Sequence, residues 1–122
     1  MYRLKILTDF DAAHQLRGYR GKCENLHGHN WKVEVTILSN DLNEIGLAID
    51  FKDLKRLTED TISVLDHSFL NQVPPFNEIN PSSENIARWI YMQLKEKILE
   101  YGVRLESVTV WESDYASATY YE

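Results

Sequence analysis

The sequence is poor in the features that mark secreted or membrane proteins. It has one cysteine among 122 residues, so no internal disulfide can form and a disulfide-stapled secreted fold is excluded. No apolar run is long enough to span a bilayer, and residues 1–6 alternate charged with apolar side chains, unlike the apolar core of a signal peptide. We therefore expect a cytoplasmic protein without a membrane partner.

Positive charge is also scarce. Lysine and arginine total 13 against 19 aspartates and glutamates, which gives a formal net charge of -6. Nucleic acids are bound through clustered lysine and arginine side chains, so this balance argues against a nucleic-acid partner. What remains is ordinary globular composition, with 43% hydrophobic residues, in a length typical of one domain. We expect a single domain over residues 1–122.

Hydrophobic periodicity predicts an α+β domain. Apolar residues alternate with polar ones in some segments and recur at helical spacing in others. Asp50 can cap the first helix, Ser82 or Ser83 can cap the second, and Gly102 can end it. The predicted order is ββααββ, with strands at about residues 2–13, 31–37, 103–112 and 116–121 and helices at about 51–65 and 83–101.

Three histidines mark the densest chemistry in the sequence. His27 and His29 flank Gly28, and residues two apart in an extended segment point to the same face. His14 ends the first predicted strand and can supply a third nitrogen if the first two strands are neighbours. Three histidines leave one tetrahedral position open, which is typical of catalytic zinc. The alternative is an exposed polar turn and an ordinary sheet histidine, because short metal motifs also occur without metal.

Cys23 lies in the same segment as two of the histidines. Near a cation and a histidine its thiolate would be favoured, which suits a base or a nucleophile. A fourth metal ligand is also chemically reasonable and would close the site. The remaining alternative is a small buried hydrophobe. Polar neighbours such as Lys22, Glu24 and Asn25 argue against that alternative.

Two further places carry titratable side chains. Asp66 and His67 follow the first predicted helix, where a carboxylate can orient an imidazole, although a solvated helix end is the more ordinary interpretation. Glu112 lies on the same strand face as two valines, so its carboxylate needs a partner. That partner could be a structural lysine or arginine, or the paired N–H donors of a heterocycle such as guanine or a pterin.

Six segments, taken together and in this order, resemble the 6-pyruvoyl-tetrahydropterin synthases and their bacterial relatives, the 6-carboxytetrahydropterin synthases of the queuosine pathway. The segments span nearly the whole chain: Phe10 to His14, Cys23 to His29, Ile49 to Phe51, Leu65 to His67, Asn80 to Asn85, and Glu112. The resemblance implies the tunnelling fold, or T-fold, in which a four-stranded antiparallel sheet carries two helices on one face. It further implies that several sheets join into a barrel, with active sites between the subunits of a homo-oligomer, expected to be a hexamer.

The resemblance also implies roles for individual residues and an enzyme that needs no redox cofactor. The substrate would be the small molecule 7,8-dihydroneopterin triphosphate. The implied roles are zinc ligands for His14, His27 and His29, general base for Cys23, proton relay for Asp66 and His67, pterin anchor for Glu112, and further substrate contacts for Glu24 and Ser83.

The expected product follows from the spacing within the second segment. Three residues separate Cys23 from His27, which is similar to the carboxypterin branch and favours 6-carboxy-5,6,7,8-tetrahydropterin, with release of acetaldehyde and triphosphate. Glu24 lies three positions before His27, and this spacing instead resembles relatives that make 6-hydroxymethyl-7,8-dihydropterin for folate synthesis. Formation of that product, alone or as a dual activity, is therefore an alternative. A 6-pyruvoyl-tetrahydropterin synthase, a zinc hydrolase of unrelated substrates and a non-catalytic pterin-binding protein are further alternatives.

A small basic cluster suggests where the triphosphate could bind. Arg17, Arg20 and Lys22 lie close together in an otherwise acidic chain. We hypothesise that one or more of them contacts the triphosphate, since a local positive potential attracts phosphate groups. A solvated loop explains the cluster equally well.

Overall fold

The computed structural model describes residues 1–19 and 25–122. The predictions for Arg20, Lys22, Cys23 and Glu24 lie outside these residues. The described elements are β1 (Tyr2–His14), β2 (His27–Ser39), α1 (Phe51–Ile62), β3 (Ser68–Phe69), a 3₁₀ turn (Leu70–Gln72), α2 (Ser83–Leu99), β4 (Arg104–Ser113) and β5 (Ala116–Tyr121). The α+β class and the order of the two helices and four long strands agree with the sequence pattern.

The sheet has one strand more than predicted. Its order is β3-β1-β2-β4-β5, and the four long strands are antiparallel. The additional strand, β3, pairs parallel to β1 through Ala12↔Ser68 and Ala13↔Phe69. The prediction of a four-stranded, purely antiparallel sheet was therefore wrong. A two-residue strand is too short to show the alternation by which strands are recognised in a sequence.

The core lies between one face of the sheet and both helices. Alternate residues of β2, from Trp31 to Ile37, are fully buried, as period-two patterning requires. They belong to one cluster with Leu54 of α1 and Leu94 of α2. The helices therefore cover one face of the sheet, as expected. The opposite face carries charged pairs such as Lys5 with Glu34.

Capping residues set the start of each helix. Asp50 accepts a hydrogen bond from the Lys52 amide at 2.9 Å, and Ser82 accepts one from the Asn85 amide at 3.2 Å. Gly102 follows α2 with φ 77°, a conformation that glycine adopts without a steric penalty. The first helix ends at Ile62, three residues earlier than predicted.

The apolar spacing of the two helices predicts burial of Phe51 and Tyr101. Both side chains are exposed instead, because Phe51 is the first residue of α1 and Tyr101 follows the end of α2. Within residues 1–19 and 25–122, no helix is both long and apolar enough to cross a membrane.

Candidate metal centre

Strand pairing brings the three histidines together. β1 and β2 are paired so that His14 lies opposite His27 and Ala12 lies opposite His29. His27 and His29 share the face of the sheet that carries the buried Trp31, because residues two apart in a strand point to the same side. The Nε2 atoms of His14 and His27 are 2.9 Å apart. The cluster therefore lies at the end of the β1–β2 pairing, directly next to the hydrophobic core.

Trp31 forms the wall between the core and the histidines. Its side chain is fully buried, and its indole Nε1 donates to the Ala12 carbonyl at 3.2 Å. The rings of His14 and His29 meet the indole edge to face, with centroids 4.8 and 5.4 Å away. A rigid aromatic surface behind two of the rings restricts how they can rotate.

Backbone carbonyls orient two of the histidine rings. His14 Nδ1 lies 2.7 Å from the Pro81 carbonyl oxygen, and His27 Nδ1 lies 2.7 Å from that of Asn25. Because a carbonyl oxygen only accepts hydrogen bonds, each Nδ1 carries a proton, which leaves the Nε2 atom of each ring as the one that can bind a metal. A hydrogen bond of this type is the usual way in which the other nitrogen of a metal-binding histidine is fixed.

His29 completes the cluster with a buried nitrogen that lacks a partner. Among the described residues, its Nε2 atom has no hydrogen-bond partner, although Glu112 Oε1 lies 2.9 Å away. Burial lowers the pKa of His29 against the opposing attraction of Glu112, so the ring favours its neutral form. A neutral imidazole with a free, buried nitrogen is a ready metal ligand, since a buried polar atom without a partner is otherwise costly.

Glu112 faces the same point as the three rings. Its Oε1 atom lies 2.9, 3.4 and 3.6 Å from the Nε2 atoms of His29, His14 and His27. Three imidazole nitrogens and one carboxylate oxygen, all within 4.8 Å of one another, form a set that could hold a metal ion. Nitrogen and oxygen donors in this number suit Zn²⁺.

The sequence did not indicate that Glu112 would lie against the histidines. In the described residues its carboxylate lies within 4 Å of three histidine rings rather than beside the lysine or arginine that we considered as partners. The signal that could have shown this is the register of β2 and β4. Lys32 pairs with Trp111, so the next pair along the two strands places Glu112 beside Trp31, two residues from His29.

Asp66 and His67 form a separate dyad at the outer edge of β1. Asp66 Oδ1 accepts from the Asp11 amide at 2.9 Å and lies 3.0 Å from His67 Nδ1, while the His67 amide donates to the Asp11 carbonyl at 2.6 Å. The hydrogen bond from the Asp11 backbone amide is the largest of the effects that lower the pKa of Asp66. The dyad is exposed and groups with Asp11, not with the histidine cluster of its own chain.

Ser83 borders a cleft beside the candidate metal centre. The cleft has a volume of about 220 Å³ and lies between His14, Glu112 and the start of α2, where Ser82 and Ser83 form part of its wall. This is small for a ligand pocket, because sites that bury a drug-sized molecule have about 300–1,000 Å³. A larger cavity of about 740 Å³ between α2 and β5 contains none of the predicted site residues.

The Arg17 side chain contacts the loop before α2. Its guanidinium Nη2 donates to the carbonyls of Phe76 and Ile79, each at 2.8 Å. The side chain therefore holds the loop before α2. The hypothesis that one or more of Arg17, Arg20 and Lys22 contacts the triphosphate stays a prediction.

Comparison with known proteins agrees with this fold. The profile of the family described as 6-pyruvoyl tetrahydropterin synthase matches residues 3–122. A 6-carboxy-5,6,7,8-tetrahydropterin synthase from Synechocystis is 38% identical over 118 residues, covering 92% of this chain and 87% of its own. A dihydroneopterin monophosphate aldolase from Pyrococcus furiosus is 33% identical over 112 residues, covering 92% and 90%. The structure of Caenorhabditis elegans 6-pyruvoyl tetrahydropterin synthase superposes with a TM-score of 0.89 at 26% identity, covering 99% of this chain and 95% of that one.

The fold is that of the T-fold proteins, here with a five-stranded mixed sheet. The chain belongs to the 6-pyruvoyl tetrahydropterin synthase family, as the resemblance in its sequence predicted. Relatives of this chain carry different names, one a 6-carboxy-5,6,7,8-tetrahydropterin synthase and another a dihydroneopterin monophosphate aldolase.

Proposed function

We propose that the protein is a zinc-dependent 6-carboxy-5,6,7,8-tetrahydropterin synthase of 7-deazapurine (queuosine) biosynthesis, a carbon-carbon lyase that acts on 7,8-dihydroneopterin triphosphate. The observation that carries the proposal is the convergence of His14, His27 and His29 with their Nε2 atoms turned to one point. Relatives named 6-carboxy-5,6,7,8-tetrahydropterin synthase support the product, and the spacing of Cys23 and His27 supports the same branch.

The three histidines would hold Zn²⁺. When bound, the ion would supply Lewis-acid polarisation of the oxygen atoms on the substrate's side chain. The protein's contribution is to orient the rings, which the contacts of His14 and His27 with the Pro81 and Asn25 carbonyls support. Burial in addition lowers the pKa of His29 and so favours its neutral form.

Glu112 would anchor the pterin ring. Its carboxylate offers two acceptor oxygens to the paired N–H donors of the heterocycle, a bidentate contact that fixes orientation as well as position. In the present structure Oε1 faces the histidines, so we propose that the carboxylate turns toward the cleft when metal and substrate bind. Ser83, on the wall of that cleft, and Glu24 would contribute further substrate contacts.

Cys23 would act as the general base, and the Asp66–His67 pair would carry protons. The 3.0 Å contact between His67 Nδ1 and Asp66 Oδ1 orients the imidazole. Because the pair lies outside the histidine cluster of its own chain, we propose that it serves the cluster of a second chain in a homohexamer. The small cleft supports the same arrangement, since a second chain would enlarge it.

A second candidate function is formation of 6-hydroxymethyl-7,8-dihydropterin, alone or beside the carboxypterin. Glu24 favours it, because a carboxylate beside the metal centre would move protons differently from a thiolate. The similarity to a protein named dihydroneopterin monophosphate aldolase gives it further support.

Product analysis tests the proposal. Zinc-loaded protein is incubated with 7,8-dihydroneopterin triphosphate, and pterins and acetaldehyde are identified by chromatography and mass spectrometry. We expect carboxytetrahydropterin and acetaldehyde, with loss of both in Cys23→Ala. Glu24→Gln removes a proposed substrate contact and should lower the turnover without changing the product. Hydroxymethyldihydropterin that depends on Glu24 would support the second candidate. A complete lack of pterin turnover would contradict the enzyme assignment.

A further inference from the structure

Two asparagine side chains extend the edge of β1 beyond its last residue. Asn71 accepts from the Gln15 amide at 2.9 Å and donates to the Gln15 carbonyl at 2.7 Å. Asn80 does the same for Arg17, at 2.9 and 2.8 Å. Each carboxamide therefore takes the place of a peptide group in a neighbouring strand, since it offers one N–H and one C=O.

These contacts begin directly after the metal-centre residue His14. Pairing of β1 with β2 ends at His14↔His27, so Gln15 and Arg17 lie past the described strand ladder. Asn71 and Asn80 bond alternate residues of this stretch, as the partners of an extended strand do. The backbone that leaves His14 is thus fixed by two side chains from a different part of the fold.

The same loop also holds the His14 ring. The Pro81 carbonyl accepts from His14 Nδ1 at 2.7 Å, and Pro81 immediately follows Asn80. The Asn80 carbonyl in turn accepts from Asn85 Nδ2 at 2.8 Å, which ties it to the first turn of α2. Backbone and ring of one histidine are therefore positioned through adjacent residues of one loop.

We propose that Asn71 and Asn80 are positioning residues for the metal centre. They act through His14, holding the backbone after it and keeping the Pro81 carbonyl against its Nδ1, so that Nε2 stays aimed at the other two rings. This inference rests on the proposed role of His14 as a metal ligand. Neither asparagine contacts the centre itself.

Metal affinity is the main measurement. Loss of a group that orients a metal ligand typically weakens metal binding by about 10–100-fold. We expect Asn80→Ala to weaken Zn²⁺ binding, measured by competition with a chelating dye, by a factor in this range. Asn71→Ala removes only the Gln15 contacts and serves as a second, milder variant if Asn80→Ala folds poorly.

Asn43→Ala is the matched control. Asn43 Oδ1 accepts from the amides of Ile45 and Leu47, both at 3.0 Å, in the loop between β2 and α1. Its replacement also removes two hydrogen bonds from side chain to backbone, but in a loop that does not contact His14. We expect it to leave Zn²⁺ affinity unchanged even if it lowers stability.

The tautomer of His14 gives a readout that is independent of metal and activity. In metal-free protein, ¹⁵N NMR should show the Nδ1–H form of His14 in wild type and in Asn43→Ala, and a loss of that preference in Asn80→Ala. Unchanged affinity and tautomer in both Asn80→Ala and Asn71→Ala would overturn the inference. A wild-type protein that shows the tautomer but binds no Zn²⁺ would instead overturn the proposed metal centre.

Discussion

His29 is the histidine whose removal tests the metal centre most simply. In the part of the chain that the structure describes, its Nε2 is buried without a hydrogen-bond partner, so its replacement removes a ligand and breaks no hydrogen bond of that nitrogen. We expect His29→Ala to weaken Zn²⁺ binding by more than the factor of about 10–100 that loss of an orienting group costs, because a three-histidine site loses one of its protein ligands. Isothermal titration calorimetry on metal-free protein measures the change.

His67→Ala is the matched control for that variant. His67 is the one histidine that lies outside the described cluster, with a side chain that is 78% exposed. It should bind Zn²⁺ as wild type does, while losing turnover. Equal loss of Zn²⁺ binding in both variants would contradict the assignment of ligands.

Asp66 makes stability depend on pH with a definite sign. Its folded pKa lies below the ordinary value of 3.8, chiefly because its carboxylate accepts from the Asp11 amide. The ionised form therefore stabilises the fold above the unfolded pKa, and that contribution is lost as pH falls through the folded pKa. Compared with Asp66→Asn, wild type should lose its advantage as pH is lowered from about 5 to about 2. Urea midpoints measure this difference, and a difference that grows on acidification would refute the account.

The individual site residues differ in how far sequence alone could place them. The proximity of His14, His27 and His29 follows from period-two spacing and the pairing of consecutive strands. The approach of Glu112 depends on the register of β2 with β4, which contains an irregularity at Thr36 that no local pattern shows. The contacts of Arg17 could not be predicted either, because charge alone does not show that a guanidinium donates to backbone carbonyls.

Among the helices and strands, the N-terminus of α2 can be tested directly by mutation. Ser82 caps it through the Asn85 amide at 3.2 Å. We expect Ser82→Ala to lower the free energy of unfolding by about 1 kcal/mol, the usual cost of losing a serine cap. Urea denaturation measures this change. The adjacent Ser83→Ala should change the free energy of unfolding by less than about 0.5 kcal/mol, as surface substitutions usually do. A larger loss in Ser83→Ala than in Ser82→Ala would contradict the assignment of Ser82 as the capping residue.

The helices and strands that could be predicted are those whose bounds are marked by residues within the same segment. Asp50 and Gly102 mark helix bounds through their own chemistry, and the alternation in β2 shows which face is buried. β3 was missed because its two residues form a strand only where the chain passes the edge of β1. The early end of α1 is also a matter of local geometry, since the chain tightens into a turn after Ile62, where the Leu65 amide donates to the Ile62 carbonyl three residues back at 2.9 Å.

At the scale of the whole molecule, the separation of the dyad from the histidine cluster predicts a site shared between chains. His29→Ala and His67→Ala should each be inactive alone. If a site combines the cluster of one chain with the dyad of another, oligomers refolded from an equal mixture should recover about a quarter of wild-type turnover, because random assembly places both intact parts at that fraction of interfaces.

The same mixture separates the shared site from a site built within one chain. A site confined to one chain would stay inactive in every mixture. Native mass spectrometry of the wild type should in addition give six times the mass of one chain, as the proposed hexamer requires.

The most direct test of the central claim is a zinc titration of metal-free protein, with acetaldehyde release from 7,8-dihydroneopterin triphosphate measured at each step. We predict no release without zinc and a linear rise that saturates at one Zn²⁺ per chain, with the same titration of His29→Ala remaining flat. Undiminished release from metal-free protein, or from His29→Ala without restored zinc binding, would contradict the claim that the three histidines hold the catalytic metal.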